Sequence, residues 1–339
     1  MRVGKIPPSV LETCVLPYLG KRRPEVLVHS GLGIDSAVVD LGEFLCVLSS
    51  DPITGATRNL GWLAVHVSCN DLAANGAEPV GVMVTMLAAE STEPADIKAI
   101  MGDIHRACLE LHIEVLGGHT EITRGVAAPI LCMTAVGRAH HGRLVTSMGA
   151  RVGDDLILTK AAGLEGTAVL ASDLEPELLT RLDPATVGRA KRFVERISVV
   201  REGTMAAHIG ASAMHDVTEG GVLTALFEMA EASKVGVEVW AERIPILPET
   251  RAVCDFFGID PLSLVSSGAM LIASANGGVL VGELAGQGVP ASIIGRVISS
   301  GRKLHRNGRV EEIVPAERDE LWRVLEERGR SEDDRGRSL

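Results

Sequence analysis

Strand-like and helix-like runs alternate along the first half of the chain, and the same style returns after a turn-rich joint, Gly149 to Asp155. That alternation restricts the chain to an α/β architecture in two units, because every run leaves an apolar face that a neighbour has to cover. Ser36 to Asp40 and Phe44 to Ser49 flank Leu41-Gly42-Glu43 and read as a hairpin. The spacing of Leu60, Leu63, Ala64 and Val67 predicts a helix to Asn75, with Asn75-Gly76 as its left-handed terminator. Gly81 to Ala88 reads as a strand, a helix opens at Pro94 and runs to about Leu111, and Ile113 to Leu116 and Ile130 to Val136 complete a first sheet. Beyond the joint, strands are expected at 156–159, 213–217, 235–240, 270–273 and 292–297. Helices are expected at 164–171 and 184–209, from about Gly221, and at 317–327. The division is therefore 1–150, 151–315, and a terminal helix with a frayed charged tail over 316–339.

Composition excludes several functions. The 339 residues carry a formal net charge of −11, which argues against a polymer of phosphates as partner. Five Phe, three Trp and one Tyr are too few for base stacking along a single strand, so no nucleic-acid partner is expected. No apolar run is long enough to span a membrane, and Met1 to Pro8 lacks the core of a secretory signal, so a cytoplasmic location is expected. Six cysteines stand singly with no Cys-x-x-Cys, which fits reduced thiols and no zinc site. An acidic chain still binds a nucleotide through a few backbone donors and a metal held by carboxylates.

Asp71 lies in the last turn of the helix ending at Asn75, where the macrodipole is negative, so a positive partner is expected for it. Asp35 follows the loop Ser30-Gly31-Leu32-Gly33-Ile34, and Asp51 follows the returning strand. The hairpin puts both at one end, on the order of 10 Å apart. Carboxylates gathered in this way suit a hard divalent cation such as magnesium; taken singly, an aspartate at a strand end is more often a turn or capping residue than a ligand, and only convergence in space changes that. The loop Gly117-Gly118-His119-Thr120-Glu121 completes the set, with His119 a wall residue and Glu121 a candidate for a metal or its water. In His215-Asp216-Val217-Thr218-Glu219-Gly220-Gly221, Thr218 suits a helix cap, and Gly220-Gly221 let N–H groups approach an anion; a plain turn explains them as well. Gly31-Leu32-Gly33 lacks the third glycine and the following helix of a dinucleotide fingerprint, and no Walker-type loop occurs.

Taken in order, Gly33-Ile34-Asp35-Ser36-Ala37-Val38, Ser49-Ser50-Asp51, Asn70-Asp71-Leu72 with Gly76-Ala77-Glu78-Pro79, and Gly117 to Glu121 resemble the superfamily of aminoimidazole ribonucleotide (AIR) synthase, the hydrogenase expression/formation protein HypE, selenophosphate synthetase and thiamine-monophosphate kinase. Gly153-Asp154-Asp155-Leu156, His215 to Gly221, Ser267-Gly268 and Ile294-Gly295-Arg296-Val297 continue the match. The resemblance implies a two-domain PurM-like fold whose N-terminal sheet forms a barrel with that of a second subunit, in a homodimer. It implies ATP and Mg2+ as cofactors, the metal on Asp35, Asp51 and Asp71. Gly33, Asn70, Gly117, Gly118, Asp216, Gly220 and Gly221 would surround the nucleotide, and His119 and Glu121 would stand near the transferred group. The implied chemistry is phosphorylation of an amide, carbonyl or similar oxygen of a small substrate, mostly by positioning and charge stabilisation.

Within the superfamily, Asp51-Pro52-Ile53-Thr54-Gly55-Ala56 and Gly118-His119-Thr120-Glu121 with Ala128-Pro129-Ile130 resemble HypE and its relatives in hydrogenase maturation. HypE ends in a tail cysteine that carries its carbamoyl group, whereas no cysteine follows Cys254 here, so that tail chemistry is expected only with a partner protein supplying the thiol. The reactive cysteine and lysine of selenophosphate synthetase, the Gly-Val-Gly-Thr-Lys run of AIR synthase and the Asp-Ser-Asp-Gly motif of thiamine-monophosphate kinase have no counterpart. The competing readings are an accessory protein that binds ATP without turnover and a non-nucleotide α/β protein.

Overall fold

The computed structural model describes residues 8–53 and 59–336, so Thr54-Gly55-Ala56 of the resemblance lies outside the described residues. A short helix, α1 (Pro8–Cys14), precedes a six-stranded sheet of β1 (Val26–Val28), β2 (Ala37–Asp40), β3 (Leu45–Ile53), β4 (Glu78–Ala88), β5 (Glu114–Ile122) and β6 (Ile130–Ala139), in the order β1-β2-β3-β6-β4-β5. Helix α2 (Leu60–Ala74) joins β3 to β4, and α3 (Pro94–Leu111) is the crossover between the parallel strands β4 and β5. Both helices lie on one face, where Ala64, Val65, Cys69 and Leu72 pack with Val82, Met86, Met133 and Ile104. Within one chain the sheet is open, with β1 and β5 at its edges.

The second sheet contains β7 (Asp155–Thr159), β8 (Ala213–Val217), β9 (Gly236–Trp240), β10 (Ala269–Ser274), β11 (Ala291–Ile298), β12 (Arg302–Arg306) and β13 (Arg309–Glu312), in the order β13-β12-β9-β11-β7-β10-β8. Around it run α4 (Leu164–Asp173), α5 (Glu175–Leu178), α6 (Pro184–Lys191), α7 (Val200–Ile209), α8 (Gly221–Ser233), α9 (Pro248–Phe257), α10 (Gly277–Gly286) and α11 (Glu320–Gly336). Val222, Leu226 and Met229 of α8 cover one face, and Ala206 of α7 with Leu280 and Leu284 of α10 cover the other.

Helix α2 stands between the two units, which is why it is buried on almost every side despite carrying Ser68, Asn70 and Asp71. Its C-terminus is a Schellman motif: Gly76 at φ +69° sends its N–H to Ala73 O, and Ala77 N–H reaches Leu72 O. Gly76 is also a contact point, since a Cβ there would lie 2.5 Å from the Cβ of Ala207 on α7. The sequence-expected terminator is thus in place, with Gly76 rather than Asn75 taking the left-handed conformation.

Several expectations are corrected. Gly117 to Glu121 is not a loop but the body of β5, where a bulge and two glycines bring the backbone against β4; a Cβ on Gly118 would lie 1.8 Å from Val84 O. The single helical region expected at 184–209 is broken, because the backbone at Ile197 and Val199 bonds to the Asn70 side chain instead of continuing a helical ladder. Residues 328–336, expected to fray, continue α11. Strands β12 and β13 and helices α9 and α10 went unread: the strands alternate around charges at a sheet edge, and α10 opens on Gly277-Gly278, a poor helix signal.

Candidate functional site

Asp71 projects from the last turn of α2 and is 8% exposed. Its carbonyl accepts from the Ser36 hydroxyl (3.0 Å) and from Asn75 Nδ2 (3.1 Å), which ties the loop before β2 to the helix end. The Ser49 hydroxyl on β3 bonds its carboxylate and stands 3.1 Å from Asp51 Oδ2. Ser49 and Asp51 share a strand face by the period of two, so this contact was readable from Ser49-Ser50-Asp51. The positive partner expected for Asp71 is not what the structure provides. Burial, followed by the charges of Asp216, Asp51 and Asp35 and a hydrogen bond with Asp51, raises its pKa well above the carboxylate range. The carboxylates of Asp35, Asp51, Asp71 and Asp216, brought from both units, therefore face one another.

Asp35 reaches this cluster from the loop after β1, and its Oδ1 lies 2.6 Å from His215 Nδ1 on β8. The other ring nitrogen, Nε2, is 2.9 Å from Glu228 Oε2 on α8. Burial opposes charge on His215, yet the two carboxylates outweigh it and raise its pKa well above the ordinary histidine value. Ligand atoms of Asp35, His215 and Asp216 fall within 4.8 Å of one another. Asp216, expected among the residues around the nucleotide, is thus a member of the acidic cluster. His215, Glu228 and Ser49 were missed; the signal for His215 was a titratable residue inside an otherwise apolar strand.

Other expected residues have different surroundings. Asn70 is fully buried, with Nδ2 donating to Ile197 O (2.9 Å) and Oδ1 accepting from Val199 N–H (2.8 Å), so it joins α2 to the C-terminal unit. Gly33, at φ +67°, is pressed against α8: a Cβ would meet the Cβ of Glu228 at 3.1 Å, and its carbonyl accepts from the Ser147 hydroxyl. Helix α8 is capped by Gly220, not by the Thr218 side chain, and the anion at its N-terminus is the chain's own Asp319. Asp319 Oδ2 accepts from Gly220 N–H at 2.6 Å and Oδ1 from Leu321 N–H at 2.8 Å, while a Cβ on Gly221 would lie 2.5 Å from Leu262 O. Burial pushes the Asp319 pKa up to about 7, against its backbone bonds to Leu321, Gly220 and Val265. The Cys69 thiol is raised by burial, as suits a packing residue.

His119 and Glu121 are not brought to the aspartates within one chain. In register, Asp51 opposes Met133, Met133 opposes Val84, and Val84 opposes Gly118, so three strand spacings, roughly 14 Å, separate them. His119 Nε2 and Glu121 Oε2 pair at 3.2 Å, both exposed, on the edge strand.

The donor set consists of hard oxygens, and three carboxylate charges bear on a fourth that is buried; a divalent cation fits both facts, with Asp35, Asp51, Asp71 and Asp216 to hold it. Among the described residues no helix is long and apolar enough to cross a membrane.

Comparison with known proteins agrees with this architecture. The AIR synthase related protein N-terminal domain matches residues 33–139, and the AIR synthase related protein C-terminal domain matches residues 151–306. The chain is 29% identical over 283 residues to a putative hydrogenase expression/formation protein of Methanocaldococcus jannaschii, covering 80% of each. It is 32% identical over 247 residues to the carbamoyl dehydratase HypE of Rhizobium leguminosarum bv. viciae, covering 71% of this chain and 69% of the relative. The crystal structure of a hydrogenase maturation protein HypE in complex with ATP has the same fold, with a TM-score of 0.71 at 19% identity over 93% of this chain and 96% of that one. The two-unit PurM-like fold, the matched domains and the relatives agree: the chain belongs to the AIR synthase related family, with hydrogenase expression/formation proteins of the HypE type among its relatives.

Proposed function

We propose that the protein is a magnesium-dependent, ATP-using enzyme that activates an amide, carbonyl or similar oxygen of its substrate by phosphorylation. The observation that carries this reading is the convergence of Asp35, Asp51, Asp71 and Asp216 from both units on one point. A relative that is a carbamoyl dehydratase, and a protein of the same fold bound to ATP, support the nucleotide and the kind of oxygen activated. Magnesium held there would neutralise charge on the phosphates as the group is transferred. The chain's own part is positional: Ser49 sets Asp71 against Asp51, Ser36 anchors the loop that carries Asp35, and Asn70 keeps Asp71 in register with Asp216 of the other unit.

The proposed assembly is a cytoplasmic homodimer formed through the N-terminal sheets, with no membrane or nucleic-acid partner. In it the exposed edge carrying Gly117, Gly118, His119 and Glu121 would meet the partner subunit, which is how those residues would approach the transferred group. The substrate is a small molecule, or a carbamoyl group presented by a maturation partner.

Purified protein with Mg-ATP and carbamoyl or amide substrates tests this directly. Substrate-stimulated phosphate release is expected, and Asp51→Asn or Asp71→Asn should abolish it while the melting curve stays cooperative. ATP binding without turnover would leave an accessory protein; no binding at all would refute the nucleotide reading.

A further inference from the structure

We infer that His215 is the positioning residue of the carboxylate cluster: fixed between Glu228 and Asp35, it sets the orientation of Asp35 and thereby the affinity of the cluster for a divalent cation. The inference rests on reading the four carboxylates as a metal site.

Asp35 needs such support. It lies outside any strand, on a glycine-containing loop held from several sides: Gly33 docks on the α8 backbone at Glu228 of the C-terminal unit, the Ser147 hydroxyl before the joint donates to the Gly33 carbonyl, and Ser36 ties the loop to α2. Its carboxylate is nevertheless only 6% exposed, and Oδ1 lies 2.6 Å from His215 Nδ1. That approach is off the line of an ideal ring hydrogen bond, so the contact counts as an ion pair. On the far side of the ring, Glu228 Oε2 stands 2.9 Å from Nε2, with its carboxylate 13% exposed. Both ring nitrogens are thus faced by carboxylate oxygens, Nδ1 by Asp35 and Nε2 by Glu228. With both nitrogens engaged in this way, the donors left to a cation in the group of Asp35, His215 and Asp216 are the carboxylates.

The line Glu228, His215, Asp35 thus runs from a rigid helix through a fully buried strand at the edge of the second sheet to a loop of the other unit. Glu228 is flanked on α8 by Phe227 and Met229, which pack into the core against the second sheet, so the line starts from a fixed point. One oxygen of Asp35 is turned to the ring, leaving Oδ2 for a ligand. Partners that orient a metal-binding side chain in this way control affinity by 10–100-fold when removed.

The two amide isosteres of histidine separate orientation from simple packing. An asparagine amide nitrogen overlays Nδ1 and keeps a donor toward Asp35, whereas a glutamine amide nitrogen overlays Nε2 and keeps only the contact with Glu228. Full-length wild type, His215→Gln, His215→Asn and Glu228→Gln are titrated with Mn2+ in the presence of a non-hydrolysable ATP analogue, reading free Mn2+ by electron paramagnetic resonance, with melting temperatures recorded without metal. His215→Gln should bind Mn2+ about 10–100-fold more weakly, with His215→Asn restoring most of the affinity. Glu228→Gln should also weaken binding, and it serves as the test if His215→Gln does not fold. Unchanged Mn2+ affinity in His215→Gln or Glu228→Gln, or equal loss in both His215 variants, would overturn the inference. Absence of Mn2+ binding in wild type would instead remove the metal reading itself, and the inference with it.

Discussion

A carboxylate at the C-terminal end of a helix is stabilised only by what approaches it, and around Asp71 the approaching charges are those of Asp216, Asp51 and Asp35. Its raised pKa has a definite sign in stability. The folded state holds the proton more tightly than the unfolded chain, so the contribution is complete below the unfolded value near 4 and is lost as pH rises through the folded value. At pH 7.5 without metal, Asp71→Asn should therefore melt at a higher temperature than wild type, yet gain nothing from Mg-ATP; differential scanning calorimetry with and without ligand reads both. A lower melting temperature in the ligand-free variant would contradict the electrostatic account. Asp319 follows the same rule at a separate place. With its pKa pushed up to about 7, its stabilising contribution is complete near pH 4 and lost as pH rises through about 7. Asp319→Asn cannot titrate, so it should gain on wild type by about 2 kcal/mol between pH 5.5 and 7, at about 1.4 kcal/mol per unit. Urea midpoints at the two pH values measure that gap, and a constant gap would refute it.

Helix α2 shows how far a sequence discloses an element. Its span was legible from Leu60, Leu63, Ala64 and Val67, and its end from Gly76, because both depend on local periodicity and one left-handed residue. Its packing was not legible. The faces of α2 turned to α7 and to the 197–199 segment are set by chain more than a hundred residues away, and Asn70 therefore read as a ligand residue although both ends of its amide meet backbone of the other unit. Asn70→Ala should cost roughly 1–3 kcal/mol for each buried backbone group it strands, read as a fall in the urea midpoint. Strand β5 failed in the opposite direction: Gly117-Gly118 looked like loop because glycine weakens a strand, but here it admits the backbone of β4 at a bulge. A Cβ on Gly118 would lie 1.8 Å from Val84 O, so Gly118→Ala should lose at least about 3 kcal/mol or fail to fold. Gly142→Ala, where the added atom meets nothing, is the matched control. The acidic cluster was partly legible for a similar reason: Asp35, Asp51 and Asp71 mark the ends of local elements, whereas Asp216 and His215 join them only through the docking of the two sheets.

At the scale of the molecule, all four carboxylates belong to one chain, while the edge that carries His119 and Glu121 stands roughly three strand spacings from them. The same sheet leaves Val80 and Met83 of β4 at 45% and 48% exposure on the face away from α2 and α3, next to the unpaired edge β5. An apolar face and an open edge at one place are a liability in a lone chain and an interface in a pair. Metal binding and dimer formation should therefore separate. Sedimentation of wild type should give the mass of two chains, and Val80→Arg with Met83→Arg should give the mass of one. The single chain should keep its Mn2+ affinity, because Asp35, Asp51, Asp71 and Asp216 need no partner, but should lose Mg-ATP turnover, because the edge strand no longer meets the N-terminal sheet of another subunit. Turnover that survived in a proven monomer would place His119 and Glu121 outside the chemistry and leave the four aspartates to act alone; a wild type that sediments as one chain would refute the paired-sheet assembly directly.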